Sequence, residues 1–141
     1  MDMHVDVDWL EAVHFSATAD SGHSVEIDGP PDLGGVNAGV RPMELMLMSV
    51  GSCAATDVVH ILTKGRVDVR HCSVTVDAQR ADEDPQVFTA VHLTFKVSGE
   101  RLTERKLARA VELSAEKYCS ASILMQRAGV NVTHEYELIA P

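Results

Sequence analysis

Positive charge is in short supply, with 12 Lys and Arg against 21 Asp and Glu and a formal net charge of −9. Nucleic acid and anionic membrane surfaces both require a basic patch, so neither is expected as a partner. Lys and Arg gather only between Arg101 and Arg109, where Glu100, Glu104 and Glu112 flank or interleave them, and this stretch reads as a solvated helix face. Cysteine is scarce as well. Cys53, Cys72 and Cys119 are too few and too scattered for the disulfide framework of a small secreted domain. The opening MDMHVDVDW is acidic and lacks an apolar core, so no secretory signal is expected and a cytoplasmic location is. The longest apolar stretch, Met43 to Val59, is broken by Glu44, Ser49, Ser52 and Asp57, and reads as a poor membrane span.

What is present is a globular chain. Its 141 residues, 45% of them hydrophobic, fit one domain (1–141) that buries roughly two-thirds of its unfolded surface. Val5, Val7 and Trp9 alternate with His4, Asp6 and Asp8, Phe15, Ala17 and Ala19 repeat the alternation, and Val25 and Ile27 give a third short strand. Asp20-Ser21-Gly22 marks a turn, so the opening reads as an antiparallel meander. Residues 28–41 (DGPPDLGGVNAGVR) carry four glycines and two prolines without periodicity, a long loop of the kind often functional or mobile.

That loop delivers the chain into PMELMLMSVGSCAATDVVHILTKG, read as one long helix from Pro42 to the stop at Gly65. Apolar and small residues occupy nearly every face, which predicts a helix buried all round. Met43, Met46 and Met48 read as adaptable core or pocket lining. Beyond it, Val67 and Val69 followed by Cys72, Val74 and Val76 predict a strand whose phase slips near Arg70-His71, the mark of a bulge. Val91, Leu93, Phe95 and Val97 form one face of its hairpin partner. Leu107, Ala110, Val111, Ser114 and Tyr118 fall at helical spacing behind a Thr103 N-cap. Ser120 to Ala128 gives a short helix stopped by Gly129, and Val130 to Leu138 a last strand. The order β-β-β-α-β-β-α-α-β predicts an α+β fold.

Chemistry centres on the thiols. Cys53 lies mid-helix between small residues, and Asp57, one turn on, shares its face, either opposing a thiolate or orienting Arg41 or a histidine if paired with one. Cys119 stands at a junction of helical segments, where a helix N-terminus favours thiolate. The two cysteines are 66 positions apart, and spacing alone does not say that they meet. Cys72, in phase with Val74 and Val76, reads as a structural residue. Seven histidines are present, but neither Cys53 with His60 nor His71 with Cys72 has CxxC or HxxxH spacing, so no metal site is expected.

The Gly/Pro loop, the helix PMELMLMSVGSCAATDVV and the segment YCSASILMQRAGVNVTHEYEL together resemble the OsmC/Ohr family, that of osmotically inducible protein C and the organic hydroperoxide resistance proteins, and within it the YhfA-like branch. The resemblance implies an intertwined α+β homodimer around a long buried central helix. It implies a thiol-dependent peroxidase acting on organic hydroperoxides, with Cys53 as the peroxidatic thiol and Cys119 as the resolving one. A dithiol, such as a lipoylated protein, would reopen the bridge, and no metal, haem or nucleotide is called for. It also implies an Arg held by a Glu beside the thiolate. Arg41 is the only arginine before Cys53, and Glu44 lies one position later than the family's Pro-Glu pattern places it, so Arg41 and Glu44 are the candidates. That displacement motivates an alternative on the same scaffold: a non-catalytic homodimeric module that binds a small ligand or senses thiol redox state.

Overall fold

Alternation in the first segment builds the three strands it predicts. The computed structural model describes residues 1–140 and divides the chain into two compact units, Met1–Met46 and Leu47 onward. In the first unit β1 (Val5–Glu11), β2 (His14–Ala19) and β3 (Ser24–Asp28) form an antiparallel sheet in that order, with Val7 opposite Ala17 and Trp9 opposite Phe15. Ala17 is buried, whereas every residue of β1 is exposed.

The Gly/Pro segment is tied down, not loose. Its ends pair at Ile27 and Val40, and a short 3-10 turn spans Pro31–Leu33. Asp28 is the anchor: its buried carboxylate accepts from the N–H groups of Val36 (2.9 Å) and Ala38 (3.1 Å). The backbone passes so closely that a β-carbon at Gly35 would lie 1.8 Å from the Gly29 carbonyl oxygen, which only glycine allows.

The Ala38 and Val36 N–H groups hold the Asp28 carboxyl below the usual carboxylate range. A carboxyl depressed on folding stabilises the protein above its unfolded pKa of about 4 and loses that contribution as pH falls through the folded value. We therefore expect the thermal unfolding midpoint of the wild type to fall between about pH 5 and pH 2 more steeply than that of Asp28→Asn. Parallel curves for the two proteins would contradict this.

Helix α1 (Pro42–Lys64) starts with Pro42 in its first turn and Glu44 Oε1 accepting from the Arg41 N–H at 2.8 Å, a carboxylate satisfying an otherwise free backbone donor. The expectation of burial on every face does not hold within the single chain. Val50, Gly51, Ala54, Val58 and Leu62 are covered, a stripe at four-residue spacing, while Met46 and Met48 are about half exposed. The interruptions that read as unfavourable to a membrane span leave α1 long and apolar enough to cross one by length and composition alone. The same numbers suit a helix packed on a sheet, and α1 has that contact: a β-carbon at Gly51 would lie 2.9 Å from Val76 Cγ2.

In the second unit β4 (Asp68–Arg80) and β5 (Phe88–Glu100) form the predicted hairpin, with the register shift between Val69 and His71 where the phase slip placed it. β6 (Asn131–Leu138) joins β5 in parallel, so β5 is central and buries Val91, Leu93, Phe95 and Val97. Thr103 caps α2 (Glu104–Leu113) by accepting from the Lys106 N–H, and Leu107, Ala110 and Val111 face the core. A π-helical turn, Ser114–Tyr118, follows in place of a continued α-helix. It turns Tyr118 outward, about half exposed beneath the Lys117 ammonium, where helical spacing predicted it on the apolar face. Helix α3 (Ser120–Arg127) follows at once, and Gly129 at φ +95° allows the turn beyond it.

Candidate active site

Helix α1 presents Cys53 and Asp57 one turn apart on one face. The π-helical turn brings Cys119 to them. Its extra residue is closed by the Cys119 N–H donating to the Ser114 carbonyl at 2.8 Å, and Cys119 then leaves the helix in an extended conformation as the N-cap of α3. The sulfurs of Cys53 and Cys119 and a carboxylate oxygen of Asp57 all lie within 4.8 Å of one another. Both thiols are free. A bridge would close that separation to about 2.05 Å.

The environments of the two thiols differ. Cys53 is half-buried, whereas Cys119 is fully enclosed. Cys119 Sγ accepts from the Ser122 N–H at 3.4 Å, as expected at a helix N-terminus. That donor does not make it a thiolate. Burial pushes the Cys119 thiol up to about 12 against the pull of the Ser122 N–H, and Cys53 and the Asp57 carboxylate add to the rise. Desolvation outweighs the helix terminus, so Cys119 keeps its proton at neutral pH. Burial likewise raises the Cys72 thiol, which stands opposite Val97 in the β4–β5 ladder.

Three residues that sequence reasoning left out hold the site in place. Buried Ser114 Oγ lies 3.1 Å from Asp57 Oδ2 and 3.4 Å from the Ala54 carbonyl oxygen, so a hydroxyl orients Asp57. Ser122 Oγ accepts from Gln126 Nε2 at 3.0 Å, and Gln126 also donates to the Ala115 carbonyl. The available signal was a serine on an otherwise apolar helix face. Beside Asp57 a groove of about 370 Å³ is lined by His60, Ile61, Lys64, Leu113 and Tyr118, apolar walls with a cationic end.

Arg41 and Glu44 belong to the first unit and are occupied there. The Arg41 guanidinium donates to Asn37 Oδ1 (3.2 Å) and the Gly39 carbonyl (3.0 Å). Glu44 meets the backbone N–H of Arg41, and among the described residues no ion pair joins their side chains.

Comparison with known proteins places the chain among relatives. A family model described as OsmC-like protein matches residues 34–135. The chain is 44% identical to Protein YhfA of Escherichia coli K12 over 98% of its own length and 99% of that protein's. A solved structure of a hypothetical protein from Aquifex aeolicus superposes with a TM-score of 0.83 at 26% identity, over 99% of each chain. The organic hydroperoxide resistance protein OhrB of Bacillus subtilis shares the fold, with a TM-score of 0.62 at 21% identity over 97% of this chain and 98% of that one.

Proposed function

Because this chain belongs to the OsmC-like protein family, we propose that it is a thiol-dependent peroxidase that reduces organic hydroperoxides through Cys53 and Cys119. Membership points to a redox or peroxide-related role. The finer assignment is supported by one observation above all: two free thiols within 4.8 Å, one within reach of solvent and the other enclosed.

In this reading the Cys53 thiolate attacks the distal peroxide oxygen. An S–O bond forms, the O–O bond breaks, and the leaving alkoxide takes a proton to become the alcohol. The Cys119 S–H, held as a thiol by burial, donates toward the Cys53 sulfur until it is needed. It then gives up its proton, with Asp57 as the nearest acceptor, and attacks the sulfenic sulfur, expelling the oxygen as water. The sum is one hydroperoxide and two thiols converted to one alcohol, one water and one disulfide. A dithiol, such as a lipoylated protein, restores the pair by exchange. The groove beside Asp57 suits an alkyl chain on Ile61, Leu113 and Tyr118, with Lys64 and His60 toward a carboxylate end.

The same proposal includes a cytoplasmic homodimer. Val5, Val7 and Trp9 on β1 and Met46 and Met48 on α1 are large apolar residues that a single chain leaves exposed. Sedimentation is expected to give a two-chain mass, and Val7→Asp with Trp9→Asp to shift it toward one chain. A single-chain mass for the wild type would remove the dimer.

The deciding experiment for the chemistry adds one equivalent of cumene hydroperoxide to the reduced protein and maps disulfides by mass spectrometry. Stoichiometric Cys53–Cys119 bridging supports the peroxidase. The second reading, a binding or sensing module, is favoured by the hydrogen bonds from the Arg41 guanidinium to Asn37 and Gly39, which already occupy it. As a binding module it predicts no bridge, and as a sensor it predicts a bridge without turnover by any dithiol.

A further inference from the structure

The three atoms that converge at the junction of α1 and α3 are all electron-rich: two sulfurs and a carboxylate oxygen, mutually within 4.8 Å. Among the described residues no ion pair within 4.0 Å engages Asp57, whose carboxylate is held by the Ser114 hydroxyl. We propose that Cys53, Asp57 and Cys119 form a binding site for a thiophilic divalent cation of the zinc type. This goes beyond the peroxidase reading and does not depend on it.

The donor set selects the metal. Two thiolates with one carboxylate suit zinc and its soft neighbours, whereas magnesium and calcium take oxygen ligands only. In a tetrahedral site with Zn–S bonds near 2.3 Å, two sulfurs stand about 3.8 Å apart, so the contraction required from the present arrangement is about 1 Å at most. Cys53 and Asp57 supply an i, i+4 pair from one helix face, and Cys119 closes the triangle from a second element. Two of the three are held from behind, as metal ligands are. The Ser114 hydroxyl fixes Asp57, and the Ser122 N–H, on a residue itself steadied through Gln126, fixes the Cys119 sulfur. Cys53 and Asp57 are each only half-buried, so water can supply the fourth ligand. On binding, each ligating thiol exchanges its proton, released to solvent, for a bond to the metal. The metal and the disulfide use the same sulfur electrons and therefore exclude each other, so a loaded site holds its thiols reduced and closed to peroxide.

The test is titration of the reduced full-length protein with Co²⁺, read as thiolate-to-cobalt charge-transfer absorption, followed by displacement with Zn²⁺. One equivalent per chain is expected. Cys53→Ser and Cys119→Ser should each lose about half the band, Ser114→Ala should weaken binding by about tenfold or more, and Cys72→Ser should change nothing. In the wild type, Zn²⁺ should protect Cys53 but not Cys72 from alkylation, a readout that needs no variant to fold. No charge-transfer band in the wild type, or a band that survives loss of both Cys53 and Cys119, overturns the site. Neither result bears on peroxide-driven bridging, and a protein that fails to bridge is still expected to give the cobalt spectrum.

Discussion

Cys53→Ser is expected to lower peroxide consumption by at least about 10³-fold, to the background of the buffer and reductant, since losing an enzyme's nucleophile has cost up to about 10⁶ elsewhere. The substitution removes one polarizable atom and almost no volume, so the fold should persist, and far-UV circular dichroism checks that it does. A serine hydroxyl at the same half-buried position is a far weaker nucleophile toward an O–O bond. Neither remaining cysteine can substitute. Cys119 is fully enclosed and its thiol is pushed up to about 12 by burial, and Cys72 belongs to the β4–β5 ladder and is raised by burial. The measurement is loss of cumene hydroperoxide against time with dihydrolipoate as reductant. Retention of more than a tenth of the wild-type rate would move the nucleophile elsewhere.

Cys119→Ser should separate the two halves of the reaction. The first equivalent of peroxide is still consumed, because Cys53 is untouched, but the sulfenic acid then waits. A neighbouring thiol within 4.8 Å acts at an effective concentration far above that of millimolar dithiol, so steady turnover is expected to fall by about 10²-fold or more. A sulfenate-trapping dione should label Cys53 in this variant and leave the wild type unlabelled under the same conditions. Over-oxidation at higher peroxide should follow, since nothing intercepts the intermediate. Equal labelling in the two proteins would mean that Cys119 resolves nothing.

Much of the scaffold was legible because the signals are local. Alternation placed β1 to β6, a one-residue slip at Arg70-His71 placed a bulge, and Thr103 announced the start of α2. The parallel direction of β6 against β5 has no local signature, since alternation is the same in either sense. Burial of α1 was overestimated because apolarity states what a residue tolerates and not what covers it. Asp57 was readable on the thiol's face, but its partner was not: Ser114 lies 57 residues away on another element. Only the family resemblance paired Cys53 with Cys119. The turn just before Cys119, Ser114–Tyr118, carries one extra residue, and a single surplus residue leaves no trace in a periodic pattern.

That turn also bears on how this chain can vary. An α-helix advances about 100° per residue, so a variant shortened by one position between Ser114 and Tyr118 would relax into ordinary winding. The Cys119 N–H, now an i+5 donor to the Ser114 carbonyl, would become the i+4 donor to that same oxygen, so the downstream sulfur would keep its anchor. A widened turn thus lets a helix take in one more residue without passing the shift along the chain.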